Sequence, residues 1–357
     1  MDLIIKPTEL CNFKCTFCSS THIAADKAQT LDLNKIYEFL ERFPQTETII
    51  VNGGDPLMVP PQYYHSLLKH LEDKGYPATL SLTTNLWPFL KRPEKWLKIF
   101  QNPRVGVITS FNYGPGRVKG DYTLFTEEDL WACSDMVLRH CGYRPDFISV
   151  VTEENEHLAI KNVELARRMS DDETPRYENG KKIGVECKLN YAMASGPAVV
   201  DKNGHSMGQE GKPYQLSKIY EIYTRIHKMG LTPWEFNTKQ MAKRLNDHPT
   251  ICPQNRHCDE GIRTIQPGGD YYSCGAFGDD LDKPIDFARE MAGEFFTPLQ
   301  ADPNLQSLKA ECYTCPMFAI CNGCRKTVKD MKAAGIVEAH CGLMKSLAKD
   351  IIEINGI

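Results

Sequence analysis

The protein has 357 residues, of which 41% are hydrophobic and 25% are charged, and its net charge is −4. This length accommodates one large domain and a smaller one, and the composition is ordinary for a globular protein in water. The slightly acidic balance disfavours nucleic acid and anionic membranes as partners. The sequence has no signal peptide and no run of about 18 apolar residues. We therefore predict a cytoplasmic protein that does not bind a membrane.

The first two-thirds of the chain alternates short β-rich runs with amphipathic stretches. This alternation predicts parallel strands joined by right-handed helical crossovers. Six such units are too few for a closed eight-fold barrel, so we predict an α/β fold with a partial (β/α)6 barrel of the TIM type. Ligands are expected at the carboxyl ends of its strands. The predicted strands are Leu3–Lys6, Thr48–Val51, Thr79–Thr83, Val105–Ser110, Phe147–Thr152 and Ile183–Asn190, and the predicted helices are Leu31–Arg42, Pro61–Lys74, Pro93–Phe100, Glu127–His140 and Glu156–Met169.

The C-terminal third has a different texture. After a predicted helix at Pro213–Lys228, the chain is rich in turn signals, cysteines and short helices. We place a domain boundary near residue 235, which gives domains 1–235 and 236–357. Ile262–Ile265 and Asp270–Ser273 flank Gln-Pro-Gly-Gly, a pattern that predicts a small hairpin. The polar segment Asp201–Lys212 is predicted to be a mobile loop near the substrate entrance.

Fourteen cysteines are present, and clustered cysteines in a reducing compartment more often bind metal than form disulfides. Eleven of them fall into two groups, one at residues 11–18 and the other at residues 252–341. The isolated Cys133, Cys141 and Cys187 are predicted to be buried structural thiols. Cys187 lies on the sixth predicted strand, so its side chain has the alternative of pointing into the barrel.

Cys11, Cys15 and Cys18 form a CxxxCxxC motif directly after the first predicted strand. Three thiolates in one loop can bind three irons of a cubane and leave the fourth iron without a protein ligand. Such an open position is typical of a catalytic metal site. The spacing alone also allows a zinc site completed by His22 or by a distant residue.

The surrounding sequence is Lys6-Pro-Thr-Glu-Leu-Cys11-Asn-Phe-Lys-Cys15-Thr-Phe-Cys18, and it resembles the opening of the radical S-adenosylmethionine (SAM) superfamily. The resemblance implies a [4Fe–4S] cluster whose open iron chelates SAM, and Phe17 packed on the SAM adenine. It also implies reductive cleavage of SAM to a 5′-deoxyadenosyl radical and a flavodoxin- or ferredoxin-type electron donor.

Four further segments resemble SAM-binding motifs of this superfamily. Asn52-Gly-Gly-Asp-Pro56 is similar to Gly-Gly-Glu-Pro, and Thr83-Thr84-Asn85 is similar to Thr-Asn-Gly with Leu86 in place of Gly. Ser110 ends the fourth predicted strand, and the segment from Asn190 to Ala198 is similar to Pro-x-Gly-x-Ala. The resemblance thus implies that the residues in contact with SAM are Phe17, Gly53, Gly54, Asp55, Asn85, Ser110 and Asn190.

Eight further cysteines can ligate two more [4Fe–4S] clusters or, by count alone, two zinc ions. Their spacing resembles the SPASM auxiliary domain, and most closely that of anaerobic sulfatase-maturating enzymes. The resemblance implies three [4Fe–4S] clusters in total. It assigns Cys252, Cys258, Cys274 and Cys324 to the first auxiliary cluster, and Cys312, Cys315, Cys321 and Cys341 to the second. An exchange of Cys324 and Cys341 stays open, because only two residues separate Cys321 from Cys324.

The same resemblance predicts a radical SAM oxidoreductase that modifies a peptide or protein by oxidation or crosslinking. The first predicted strand lies at the start of the sequence, so we expect no leader-recognition domain before it, as in sulfatase-maturating enzymes. Those enzymes have a catalytic Asp directly after the cysteine matched by Cys274, whereas this chain has Gly275, and Asp270, Asp279 and Asp280 do not match it. Formylglycine formation is therefore disfavoured. Two alternatives are a radical SAM enzyme acting on a small metabolite, sugar or nucleotide, and a non-enzymatic zinc-binding protein.

Overall fold

The computed structural model describes residues 1–18, 29–171, 176–178, 181–192, 214–245, 261–279, 283–296, 314–315 and 325–354. Its strands are β1 (Asp2–Ile5), β2 (Thr48–Val51), β3 (Thr79–Thr83), β4 (Val105–Ser110), β5 (Asp146–Val151), β6 (Arg176–Glu178), β7 (Lys181–Ile183), β8 (Cys187–Tyr191), β9 (Ile262–Ile265) and β10 (Tyr271–Tyr272). Its α-helices are α1 (Leu33–Arg42), α2 (Pro61–Lys74), α3 (Trp87–Lys91), α4 (Leu97–Phe100), α5 (Glu127–Cys141), α6 (Ala159–Asp171), α7 (Leu216–Lys228), α8 (Phe236–Leu245), α9 (Gly275–Asp279), α10 (Phe287–Met291), α11 (Arg325–Ala333) and α12 (Val337–Ile354).

The main sheet has the strand order β10-β9-β1-β2-β3-β4-β5-β8, and its end strands do not pair with each other. Six of these strands, β1 to β5 and β8, are parallel neighbours in chain order, with helices between them. The predicted α/β class and partial (β/α)6 barrel are confirmed. No helix in the described ranges combines the length and the hydropathy that a membrane span requires.

Alternating burial explains why these segments form strands. In β1, Leu3 and Ile5 are fully buried and Ile4 is half-buried, and the same period of two recurs in β2, β4, β5 and β8. The buried residues of each strand therefore share one face. The helices cover that face with apolar stripes, as α1 does with Ile36, Phe39 and Leu40.

Several predicted elements differ from the observed ones by one to three residues at an end, and three others are divided or begin elsewhere. Residues 93–100 form a 3-10 turn and the short helix α4, and α3 precedes them. Residues 156–158 form a 3-10 turn before α6. The predicted strand at Ile183–Asn190 was wrong at its start, since β8 begins at Cys187. A Cβ on Gly184 would lie 2.4 Å from the Ser170 hydroxyl oxygen, so the chain crosses directly over α6 between β7 and β8.

The predicted hairpin after residue 260 is confirmed, because β9 and β10 are antiparallel. Its placement in the fold was not predicted. Strand β9 pairs in parallel with β1, with Ile5 opposite Ile265, and the Lys6 amide donates to the Ile265 carbonyl at 3.0 Å. The C-terminal part of the chain thus extends the sheet at the strand that leads into the cysteine loop.

The outer edge of β8 is covered by side chains. The Leu189 amide donates to the Glu235 carboxylate at 3.0 Å, and the Leu189 carbonyl accepts from the Asn237 side chain at 2.7 Å and from the Tyr223 hydroxyl at 3.0 Å. These groups take the hydrogen bonds that a further strand would make. Glu235 is fully buried, and burial raises its pKa.

Candidate active site at the cysteine loop

The CxxxCxxC loop, residues 11–18, follows β1 at its carboxyl end, and all three of its cysteines are half-buried. The Cys11 sulfur accepts a hydrogen bond from the Phe13 amide at 3.3 Å, and the Cys18 amide donates to the Cys15 carbonyl at 3.2 Å. The first predicted strand therefore delivers the motif to the end of the sheet where ligands bind in such folds.

The Gly53-Gly54 turn after β2 holds the segment that precedes Cys11. The Gly54 amide donates to the Thr8 carbonyl, and the Asp55 amide donates to the Leu10 carbonyl, both at 2.8 Å. A Cβ on Gly53 would lie 2.5 Å from the Thr8 oxygen, and one on Gly54 would lie 2.1 Å from the Leu10 oxygen. Glycine is required here because two backbone segments touch and a Cβ would separate them. The same lack of a Cβ also lets a ligand approach the turn closely.

A second backbone segment holds the loop from its other side. The Lys14 amide donates to the Val118 carbonyl at 2.7 Å, and the Thr16 amide donates to the Gly116 carbonyl at 2.8 Å. Gly116 has φ +104°, and a Cβ there would lie 3.1 Å from the Phe17 ring. The segment 116–119 therefore fixes the course of the cysteine loop and the place of Phe17.

Asp55 turns its carboxylate into the protein. This carboxylate accepts from the Leu57 amide at 2.9 Å, from the Asn85 amide at 2.8 Å and from the Thr84 hydroxyl at 2.9 Å. Burial raises the pKa of Asp55 to about 6, although these hydrogen bonds act in the opposite direction. The Asp55 side chain joins the turn after β2 to the end of β3. The Asp55 backbone, in contrast, faces the segment that precedes Cys11.

Asn85, at the end of β3, reaches the cysteine loop. Its side-chain nitrogen lies 2.8 Å from the Asn12 side-chain oxygen and 4.0 Å from the Cys11 sulfur. The next residue, Leu86, has φ +62°, a left-handed conformation that favours glycine. The position thus keeps the backbone shape of the Thr-Asn-Gly motif despite its different residue.

Ser110 and Phe17 meet at Arg117, a residue that the sequence analysis did not select. The guanidinium donates to the Ser110 hydroxyl at 2.8 Å and to the Asn112 side-chain oxygen at 3.1 Å, and it lies 5.1 Å from the centre of the Phe17 ring. Arg117 is buried, and burial lowers its pKa while the neighbouring Cys15 opposes that effect. The Gly-rich run Gly114-Pro-Gly-Arg-Val-Lys-Gly120 after a strand was the available signal for this residue.

Asn190 lies on β8 opposite Val150 and is half-buried, and its side-chain oxygen is enclosed without a hydrogen-bond partner in the described structure. Residues 193–198 of its predicted motif lie outside the described residues, as do His22 and the loop Asp201–Lys212. The structure thus brings Phe17, Gly53, Gly54, Asp55, Asn85 and Ser110 to the surroundings of the cysteine loop.

The donor set of this loop fits a cubane. Burial raises the pKa of Cys11 well above its ordinary value, with a smaller contribution from the Asp55 charge, and burial also raises the pKa of Cys15. Iron would supply the positive charge that buried thiolates need. The described residues contain no three His, Cys, Asp or Glu side chains grouped around a single ion position, and a cubane takes one thiolate per iron.

The C-terminal cysteines are described only in part. Cys274 follows β10, Cys315 is half-buried and Cys341 is exposed on α12. Gly275 lies beside β1, since its Cβ position is 3.9 Å from the Lys6 Cε atom. The five cysteines that lie outside the described residues are Cys252, Cys258, Cys312, Cys321 and Cys324.

The three isolated cysteines are separate from this loop in the sequence and in the fold. Cys133 and Cys187 are fully buried, and Cys187 shares its strand face with the core residues Leu189 and Tyr191. Burial raises the pKa of Cys133 to about 12 and raises that of Cys187 well above its ordinary value. Cys141 is half-buried at the end of α5. The environments of Cys133 and Cys187 are typical of inert structural thiols, whereas Cys141 is half-buried and not buried as predicted, because it lies at the end of its helix.

Comparisons with known proteins agree with this site. Residues 5–111 match the radical SAM superfamily. The fold is similar to that of anSMEcpe, an anaerobic sulfatase-maturating enzyme, with bound AdoMet (SAM) and Cp18Cys peptide, at a TM-score of 0.65 and 15% identity over 99% of this chain and 98% of that chain. It is also similar to that of SuiB from Streptococcus suis bound to the precursor peptide SuiA, at a TM-score of 0.54 and 13% identity over 90% of this chain and 71% of that chain.

No curated protein sequence matches the chain. At these low identities the structural matches establish a shared fold. The superfamily match covers the cysteine loop, the Gly53-Gly54 turn, Asn85 and Ser110. Residues 5–111 are therefore a radical SAM domain, which implies an iron–sulfur cluster and SAM as its cofactors.

Proposed function

We propose that this protein is a radical SAM oxidoreductase that modifies a peptide or protein, by oxidation or by crosslinking, and that holds three [4Fe–4S] clusters. The observation that carries the proposal is a pair of backbone attachments: the Gly53-Gly54 turn holds the segment directly before Cys11, and residues 116–119 hold the cysteine loop at Lys14 and Thr16. A catalytic cluster with an open iron needs its three ligands held at fixed positions beside the SAM site.

Within this proposal, Cys11, Cys15 and Cys18 ligate the first cluster. When the cluster and SAM are bound, they supply reductive cleavage of SAM to a 5′-deoxyadenosyl radical that removes a hydrogen atom from the substrate. The protein's own residues bind and orient SAM. Arg117 offers a buried positive charge beside Ser110 for the SAM carboxylate.

The remaining SAM contacts follow from the geometry around the loop. The Phe17 ring, held under the Arg117 guanidinium, offers an apolar face for the adenine. The Gly53-Gly54 turn offers carbonyl oxygens to the SAM ammonium, and glycine permits that close approach. Asn85 holds the cysteine loop through Asn12 and, with Asp55, fixes the end of β3 against it.

The eight C-terminal cysteines are proposed to ligate two auxiliary clusters in a SPASM domain, residues 236–357. Full ligation leaves no open iron, so we assign these clusters to electron transfer or to local bracing. The pairing of β9 with β1 supports a close relation between this segment and the catalytic loop. Electrons for the first cluster are proposed to come from a flavodoxin- or ferredoxin-type donor.

The peptide substrate is supported by two structural relatives that were solved with peptides, anSMEcpe with Cp18Cys and SuiB with its precursor SuiA. An extended chain can enter the open side of the sheet, between β8 and β10. Gly275 stands where sulfatase-maturating enzymes have their catalytic Asp, so oxidation at another position or crosslinking is favoured over formylglycine formation.

Cofactor content tests the first half of the proposal. Anaerobically purified protein is expected to contain about twelve irons per chain, and a triple Cys11→Ala, Cys15→Ala, Cys18→Ala variant about eight. The triple variant should also lose SAM cleavage, whereas the buried Cys133→Ala change should keep all the iron. Zinc as the dominant metal would refute the proposal and favour a zinc-binding protein.

Hydrogen transfer tests the second half. Reduced enzyme is incubated with SAM and deuterated peptides encoded beside its gene, and 5′-deoxyadenosine is analysed by mass spectrometry. Deuterium in this product identifies a peptide substrate. Transfer from a deuterated metabolite, sugar or nucleotide, with none from any peptide, would instead establish a small-molecule enzyme.

A further inference from the structure

Two enclosed polar side chains lie at the end of strand β9 and directly after it. Gln266 is the first residue after β9 and is 5% exposed, yet neither its amide nitrogen nor its amide oxygen has a partner within the described residues. Thr264 precedes it by two residues, is fully buried, and has a hydroxyl that is also unpartnered there. Enclosed amide and hydroxyl groups are almost always hydrogen-bonded, because burial without a partner is costly.

Gln266 lies near the candidate active site. Ile265 is opposite Ile5 in the parallel pairing, so Gln266 stands beside Lys6 at the same end of the sheet. The Lys6 Cα atom is 3.4 Å from the Cβ position of Gly53 on the following strand connection. Two strand spacings, about 10 Å, therefore separate the Gln266 backbone from the Gly53-Gly54 turn.

Glycines in α9 leave room for the amide. A Cβ on Gly278 would lie 2.2 Å from the Gln266 amide nitrogen and 3.1 Å from the Tyr272 ring. Any side chain at position 278 would thus displace the amide from its present place. Gly275, which the resemblance matches to the catalytic Asp position of sulfatase-maturating enzymes, likewise leaves the space beside the Lys6 side chain without a side chain of its own.

We infer that the Gln266 amide binds a backbone peptide group of the substrate, an inference that rests on the proposed peptide-modifying function. A side-chain amide has donors and an acceptor in one plane, so it can pair with both the C=O and the N–H of an extended peptide. The distance of about 10 Å corresponds to about three residues of extended chain. Gln266 therefore holds the substrate about three residues from the part of the peptide that lies nearest the Gly53-Gly54 turn.

The probe is a random-sequence pool of short peptides, in dialysis equilibrium with the SAM-loaded, cluster-containing enzyme and quantified by mass spectrometry. Gln266→Met keeps the length and apolar packing of the side chain but removes both polar atoms. It is expected to weaken retention of the pool by about 5- to 100-fold. Gly278→Ala, which displaces the amide without changing it, is expected to weaken retention in the same direction.

Matched controls isolate the amide. Gly261→Ala adds a Cβ with nothing within 4 Å, and Gln62→Met alters an exposed glutamine on α2, so both should retain the pool as the unmodified protein does. A backbone N-methylated pool should bind the unmodified protein as weakly as it binds Gln266→Met. The thermal unfolding temperature of Gln266→Met should not fall below that of the unmodified protein, because the change removes an unpaired polar group.

Equal retention of the pool by Gln266→Met and the unmodified protein would overturn the inference, as would absence of binding by the unmodified protein. This result is distinguishable from failure of the proposed function. Peptide binding that depends on Gln266, without deuterium transfer from any peptide, would contradict the reaction and leave the amide contact standing. Deuterium transfer from a peptide whose kcat and KM are unchanged in Gln266→Met would contradict the amide contact alone.

Discussion

Gly54→Ala tests whether backbone contact with the Gly53-Gly54 turn positions the cysteine loop. The new Cβ would lie 2.1 Å from the Leu10 carbonyl oxygen and 2.5 Å from that of Glu9, where real contacts stay above 3.0 Å. The two segments must therefore separate by about 0.9 Å. Both opposing groups belong to the backbone, so no side-chain rotation relieves the collision.

The expected cost follows from the two hydrogen bonds at this point. The Gly54 amide and the Asp55 amide each donate to the cysteine segment at 2.8 Å. Each bond contributes about 1 kcal/mol, and up to about 3 kcal/mol if its donor is left buried without a partner. The loss of both amounts to about 2 to 6 kcal/mol, concentrated where Cys11 enters the cluster.

The assay compares iron and sulfide content, SAM cleavage and far-ultraviolet circular dichroism in the variant and in Gly106→Ala. Gly106 lies on the nearby strand β4, and its Cβ position is 3.9 Å from the Leu80 oxygen, an ordinary contact. Gly54→Ala should lose cluster iron and SAM cleavage while keeping its secondary structure, and Gly106→Ala should keep all three. Full iron content and unchanged SAM cleavage in Gly54→Ala would refute this account of the turn.

Three further predictions concern buried charges. Arg263 and Glu290 are fully buried, and the Arg263 guanidinium lies 2.7 Å from the Glu290 carboxylate. Glu290→Gln should therefore lower the free energy of unfolding, measured by urea titration, by about 3 to 5 kcal/mol. A loss below about 1 kcal/mol would contradict this prediction. The pKa of Asp55 is about 6 in the fold against 3.8 as its ordinary value, so its contribution to stability is complete below about pH 4 and is lost as the pH rises through 6. About 1 kcal/mol should therefore disappear between about pH 5 and pH 7, and Asp55→Asn should abolish this part of the pH dependence. Arg117→Lys cannot reproduce both guanidinium hydrogen bonds and should raise the Kd for SAM by about 5- to 100-fold in isothermal titration, whereas an unchanged Kd would remove Arg117 from the SAM site.

Local sequence pattern was sufficient for the strands of the barrel. The runs at residues 48–51, 79–83 and 105–110 are strands with the predicted bounds. They are rich in β-branched and apolar residues, which suit a pleated surface that is buried on alternate residues. The CxxxCxxC motif was correctly expected at the carboxyl end of the first strand. These features could be predicted because each depends on a pattern or a motif that is only a few residues long.

Interactions between distant segments were not predictable in this way. The pairing of β9 with β1 joins residues about 260 positions apart, and the Glu235 carboxylate replaces a strand at the edge of β8. Arg117 was missed because its meaning depends on Phe17, one hundred positions earlier, and on Ser110. None of these contacts produces a repeating pattern in the sequence. Each depends on how the folded chain brings remote residues together.

The glycines around the cysteine loop define the candidate site as much as the cysteines do. Gly54 and Gly116 lie against opposite sides of the loop, and each occupies a place where a Cβ would meet the chain at 2.9 Å or less. The loop is held at Lys14 and Thr16 by main-chain hydrogen bonds, which do not depend on the identity of those side chains. The course of the loop, and with it the position of its three cysteines, therefore depends on the backbone at Gly54 and Gly116. At Gly275 and Gly278 the absent side chains likewise leave space, beside the Lys6 side chain and beside the Gln266 amide.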